Sequence, residues 1–141
     1  MRAHIMLALL STLLVAGNSY ASGIPIEPGQ WEMKSTMTMS MMPQPQVTVN
    51  MECIEEDFLD PETFNKDQES ECGVVNVTTD GNTASWDIDC PIENGAKLEG
   101  SWEMTSNGDT LTGKGNMSTE IAGQKVGFDM SWEGKRIGDC E

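Results

Sequence analysis

The chain has one histidine, His4, and one tyrosine, Tyr20, and both fall within its first 21 residues. Beyond them no imidazole or phenol remains. This excludes nucleophilic catalysis of the Ser-His or Cys-His type and removes the commonest protein metal ligand. Basic side chains are scarce as well. Eight Lys and Arg residues stand against 23 Asp and Glu, a formal charge of -15, so nucleic acid and anionic lipid are poor partners. No glycine-rich loop follows a strand and opens a helix, which leaves nucleotide use unsupported, and no acidic stretch has the ligand spacing of an EF-hand. No apolar run reaches the ~20 residues that a membrane-spanning helix needs.

What is present begins with a secretory signal. Arg2 gives a basic start, Ile5 to Val15 an apolar stretch, and Ser19 and Ala21 occupy the positions favoured by signal peptidase. The expectation is a signal peptide over residues 1–21, cut after Ala21, and one soluble domain over residues 22–141 that does not span a membrane. Loss of Arg2 takes the formal charge to -16. Half of that excess sits between Glu52 and Glu71, where nine acids face Lys66 alone. Such a segment reads first as a solvated face; a weak calcium site and a docking surface for a basic partner are the functional alternatives.

The regular signal along the rest of the chain has period two. From Trp31, apolar residues Met33, Met37, Met39 and Met41 alternate with Glu32, Lys34, Thr36, Thr38 and Ser40, the pattern of a half-buried strand. After Pro43-Gln44-Pro45, Val47, Val49, Met51 and Cys53 alternate with Thr48, Asn50 and Glu52, which predicts a second strand returning beside the first. Residues Glu55 to Lys66 lose the alternation and predict one short helix, with Asp60-Pro61 at a turn. Val74 to Thr79 and Thr83 to Cys90 flank Asp80-Gly81-Asn82 as a hairpin, and strands follow over 97–105, 111–121 and 126–132. Seven strands with short connections predict an all-β antiparallel meander curled into a barrel or half-barrel, with a two-layer sandwich as the alternative. Gly100, Gly113 and Gly115 fall on inward positions, where they serve either strand curvature or space for an opposing tryptophan.

Four cysteines, Cys53, Cys72, Cys90 and Cys140, follow the signal, and none stands in a C-x-x-C spacing. In an exported chain an even count reads as disulfides. Three pairings are possible; Cys72 and Cys90 bracket the predicted hairpin, which favours Cys72-Cys90 with Cys53-Cys140. Nine methionines but only three leucines, Leu59, Leu98 and Leu111, follow the signal. Eight of those methionines fall on the predicted inner face. The plain reading is flexible core filling around the tryptophans; a deformable interior for an apolar small molecule or lipid-like ligand is the second. Its expected lining is Met33, Met37, Met39, Met51, Trp102, Met104, Met117, Met130 and Trp132. A third reading is soft-metal binding, with Met37, Met39, Met41 and Met42 holding Cu(I) through their thioethers. Asp87 with Asp89, or Glu99 with Glu103, are the carboxylate pairs available for glycoside hydrolysis, but all four lie at outward positions.

Pro28-Gly29-Gln30-Trp31-Glu32-Met33, the Glu52-Cys53-Ile54 step, Cys72, the Trp86 to Cys90 strand and the closing Gly134-Lys135-Arg136-Ile137-Gly138-Asp139-Cys140 together resemble the family of domain of unknown function 3617. The resemblance spans nearly all of the chain after the signal. It implies a small exported bacterial protein of the periplasm and carries no catalytic residue with it. The expectation is a disulfide-braced, non-enzymatic periplasmic domain without a cofactor. Its Met/Trp interior holds an apolar ligand, or its acidic segment serves a protein partner.

Overall fold

The computed structural model describes residues 23–63, 72–92 and 96–141. The expected signal peptide lies outside them, as do Phe64 and Lys66. Every regular element among the described residues is a strand: β1 (Ile24–Pro25), β2 (Gly29–Met39), β3 (Met42–Ile54), β4 (Phe58–Leu59), β5 (Gly73–Asp80), β6 (Thr83–Pro91), β7 (Lys97–Ser106), β8 (Thr110–Ile121) and β9 (Gln124–Gly138). The seven long strands form one antiparallel sheet in the order β3-β2-β9-β8-β7-β6-β5. From β5 to β9 this is the expected meander. The chain's first long strand, β2, then pairs along its length with its last, β9, running from Gln30 opposite Gly138 to Met39 opposite Phe128.

The sheet is not a closed barrel, because β3 and β5 are its two free edges. Nor do the long strands divide between two sheets. The second, two-stranded sheet is small and joins β1 to β4, Ile24 opposite Leu59.

Two expectations are corrected. The first is the short helix: in its described part, Phe58–Leu59 is a strand and residues 61–63 are a turn. Asp60 explains the turn. Its carboxylate accepts the Glu62 N–H at 2.9 Å and its carbonyl accepts the Thr63 N–H and hydroxyl, so the aspartate diverts the chain after one bend.

The second correction is the facing of β3. Met39 is opposite Met42 across a two-residue turn, and from Gln46 onward the register places Val47 opposite Thr36, Val49 opposite Lys34 and Met51 opposite Glu32. An even-length connection must pair odd positions with even ones, and directly opposed residues share a face. Because Trp31, Met33 and Ser35 face inward, the inward residues of β3 are Thr48, Asn50 and Glu52. Val47, Val49 and Met51 face outward, each more than half exposed. The alternation identifies the strand correctly; the turn decides which half of it faces inward.

The buried core takes in Ala84, Trp86, Trp102 and Met104 along the apolar face and is closed at one end by the N-terminal segment. Residues 23–28 cross that end, where Ile24 and Ile26 are buried against Trp31, Ile54 and Leu111. Backbone hydrogen bonds hold this crossing: Ile26 N–H donates to Asp57 O and Glu27 N–H to Gly108 O. Trp31 is fully buried, and its indole N–H donates to the Glu27 carbonyl at 3.0 Å. That satisfies the one polar atom of the largest core side chain.

Inward glycines create room for the other indoles. A Cβ on Gly115 would collide with the Trp102 ring, and one on Gly113 would lie 2.6 Å from Trp132 Cε3. Gly100 is constrained differently, by the backbone carbonyl of Asn116 on β8. Two disulfides brace the sheet. Cys72–Cys90 links the start of β5 to β6, and Cys53–Cys140 links β3 to the chain's end beyond β9.

Two outcomes follow for stability, both readable by urea denaturation. Gly115→Ala should cost about 1–3 kcal/mol through overpacking against Trp102, whereas Gly138→Ala, whose Cβ would meet nothing within 4 Å, should stay within about 0.5 kcal/mol of the parent. Replacing Cys53 and Cys140 with alanine should cost roughly 4 to 5 kcal/mol and replacing Cys72 and Cys90 about 3, following their sequence separations of 87 and 18. The reverse order would mean that unfolded-chain entropy does not govern their contribution.

Candidate functional site

Away from the packed end, the apolar face is hollow. A cavity of about 610 Å³ is lined from six of the seven long strands, within the size range of small-molecule sites. Strand alternation supplies the lining: Trp86 and Ile88 from β6, Trp102 and Met104 from β7, Leu111 and Met117 from β8, and Phe128, Met130 and Trp132 from β9. Met33 and Ser35 of β2 continue it. Asn50 and Glu52 of β3, with Glu56 and Leu59 just beyond, form the opposite side.

Indoles dominate the floor. Trp102 and Trp132 lie with ring centroids 4.7 Å apart and planes tilted by 31°, seated over Gly115 and Gly113. Met33, Met117, Phe128, Met130 and Trp132 are only partly buried despite facing the core side. The Trp102 indole N–H is buried without an acceptor, as is the Thr119 hydroxyl. Each orphaned group costs on the order of 1–3 kcal/mol.

Six of the nine residues expected to line an interior do so: Met33, Trp102, Met104, Met117, Met130 and Trp132. Met51 does not, because it faces outward and is 58% exposed. Met37 and Met39 are half-buried on the inner side of β2, but the cavity wall ends at their β9 partners Met130 and Phe128. Asn50, Glu52 and Glu56 were not anticipated. For Asn50 and Glu52 the signal existed in the parity of the hairpin connection, had the turn been placed at Ser40-Met41 rather than at the prolines.

For thioether metal binding, Met39 and Met42 are directly opposed, and Met37 lies two residues along the same face. Met41 stands apart at the turn, 79% exposed. The hairpin thus brings three sulfur side chains to one face and leaves the fourth in solvent.

The opposite face of the sheet carries the carboxylate pairs named for glycoside hydrolysis, Asp87 with Asp89 and Glu99 with Glu103. A polar depression of about 670 Å³ crosses it, flanked by Asp87, Ser101, Asn116 and Asp129, which are successive cross-strand neighbours. Asn76, in the left-handed region (φ 55°) at an irregularity of β5, donates to Asp87 at 2.8 Å, and the Ser101 hydroxyl donates to the same carboxylate at 2.8 Å. These bonds, Asn76 first, hold Asp87 below the ordinary aspartate pKa. A general acid needs the opposite shift. Asp89 pairs with Lys97 at 3.0 Å, raising the lysine pKa through the hydrogen bond and the charge, and Glu103 pairs with Lys114 at 3.1 Å. All are solvent-facing pairs of low individual value.

Asn76→Ala should therefore move the Asp87 pKa up toward the ordinary carboxylate value, as followed by carboxyl NMR titration. Because the folded value is depressed, the associated stability is present above the unfolded aspartate pKa and is lost as pH falls through the folded one. An unmoved Asp87 titration would show that Asn76 is not its principal donor.

Both disulfides indicate an oxidising, non-cytoplasmic compartment. Among the described residues no helix is long and apolar enough to cross a membrane. No curated protein and no solved structure matches the chain. A family model does, over residues 26–140, from the N-terminal crossing segment to the last cysteine, and the chain belongs to that family, described as protein of unknown function (DUF3617).

Proposed function

We propose that the protein is a non-enzymatic periplasmic binding domain that holds an apolar or amphiphilic small molecule in its Met/Trp-lined cavity. In this reading the seven-stranded sheet acts as a half-barrel, with β3 and β5 as the lips of its opening. The carrying observation is the hollow itself: about 610 Å³ walled by indoles, thioethers and aliphatic groups in a chain short of leucine. Thioethers and indoles suit such a role because methionine adapts its shape and tryptophan offers large apolar faces at little conformational cost. The polar depression on the other face is less suited, because two of its carboxylates, Asp87 and Glu103, are already paired with donors or a lysine.

Four tryptophans make binding visible. Titration with the uncharged probe N-phenyl-1-naphthylamine should quench indole emission with one-to-one stoichiometry. Met130→Lys places a charge in the wall and should weaken binding at least tenfold, about 1.4 kcal/mol, while the far-ultraviolet dichroism of the sheet is retained. Absence of probe binding to the unaltered protein would end the reading.

A further inference from the structure

We propose that the cavity selects a cationic amphiphile, an alkylamine or quaternary ammonium carrying an aliphatic tail, over neutral and anionic ones; this rests on the ligand-binding reading above. Among the described residues, the charged side chains of the wall are two carboxylates, Glu52 and Glu56, and no described lysine or arginine contributes to it. Glu52 is there because of the fold. The hairpin register sets it opposite Trp31 and turns it to the inner face, where the sequence alternation alone would have left it outside.

The nearest base along that row is Arg136, also opposite Trp31. Its guanidinium is already engaged: Nε donates to the Pro28 carbonyl at 2.8 Å and a terminal nitrogen pairs with Asp139. Lys34, Lys97 and Lys114 are likewise held in ion pairs with Glu133, Asp89 and Glu103. Glu52 and Glu56 thus have no ion-pair partner among the described residues, and they line the same cavity as Trp86, Trp102 and Trp132.

Each component matches one part of a cationic amphiphile. Indole faces attract an ammonium or quaternary ammonium through the ring quadrupole, most strongly where water is excluded. Carboxylates at the β3 side supply the counter-charge. Met33, Met117 and Met130 offer a deformable apolar surface to the tail. An alkyl sulfate or carboxylate would instead bring a negative head against Glu52 and Glu56 in a protein whose net charge is already strongly negative.

The test is isothermal titration calorimetry of residues 22–141 with three single-chain probes below their micellar concentrations. The probes are dodecyltrimethylammonium, a dodecyl oligoethylene glycol ether and dodecyl sulfate, in 0.15 M salt to screen the distant field (a Debye length of about 8 Å). The cation should bind at least tenfold more tightly than the ether, and the sulfate more weakly than either. In E52Q/E56Q the preference for the cation should fall to within about threefold, whereas E120Q/E141Q, which removes the same charge outside the cavity, should retain it. Equal affinity for cation and ether, or equal loss of preference in both double variants, overturns the selectivity. Binding of N-phenyl-1-naphthylamine with no such preference would overturn this inference and leave the cavity reading standing. Failure of that probe and of all three dodecyl compounds would remove both.

Discussion

The pairing of β2 with β9 is the contact on which the remaining architecture depends. It joins the first long strand to the last over a sequence separation of about a hundred residues, and it converts a linear meander into a sheet whose two ends are β3 and β5. The connection carries loop-closure entropy before it returns any contact. What offsets that cost is local to the seam: Trp31 buried completely beside Arg136, Met33 packed onto Gly134, and the N-terminal segment tied to Gly108 and Asp57. The Cys53–Cys140 bond lies at the same end and links β3 to the residues after β9 across β2, so the covalent brace reinforces the seam that chain entropy most opposes.

Packing is divided along the apolar face. At the seam end, Ile24, Ile26, Ile54 and Leu111 are buried around Trp31. Farther along, Trp102 and Trp132 settle over Gly115 and Gly113, and the side chains around them stop short of one another. A hollow among apolar groups forfeits dispersion contacts and costs stability. Its presence beside a Trp102 indole N–H without an acceptor sets a local cost within the apolar face.

Legibility differed between strands for identifiable reasons. In β7, β8 and β9 the alternation of Leu98 to Met104, Leu111 to Met117 and Val126 to Trp132 specified both the strand and its buried face, because each is flanked by neighbours on both sides and short turns hold the phase. In β3 the same kind of alternation misled. It is an edge strand, its facing is dictated by the two-residue turn at Ser40-Met41, and no neighbour on its free side demands that Val47, Val49 and Met51 be covered. Absence of charge from Ser35 to Met51 made either facing compatible with the sequence. The segment after Glu55 failed for a third reason: side-chain and carbonyl bonding at Asp60 competed locally with helix formation.

The lack of imidazole and phenol beyond residue 21, the acidic balance, the four cysteines and the period-two pattern were properties of the amino-acid string alone, and they bounded the chemistry and the all-β class. Which edges stay open, which methionines meet an interior and why two glutamates share a cavity with the indoles were decided only in three dimensions. The physical reason is that strand alternation states that one face is hidden, while register, turn length and long-range pairing determine which face that is and what lies across from it.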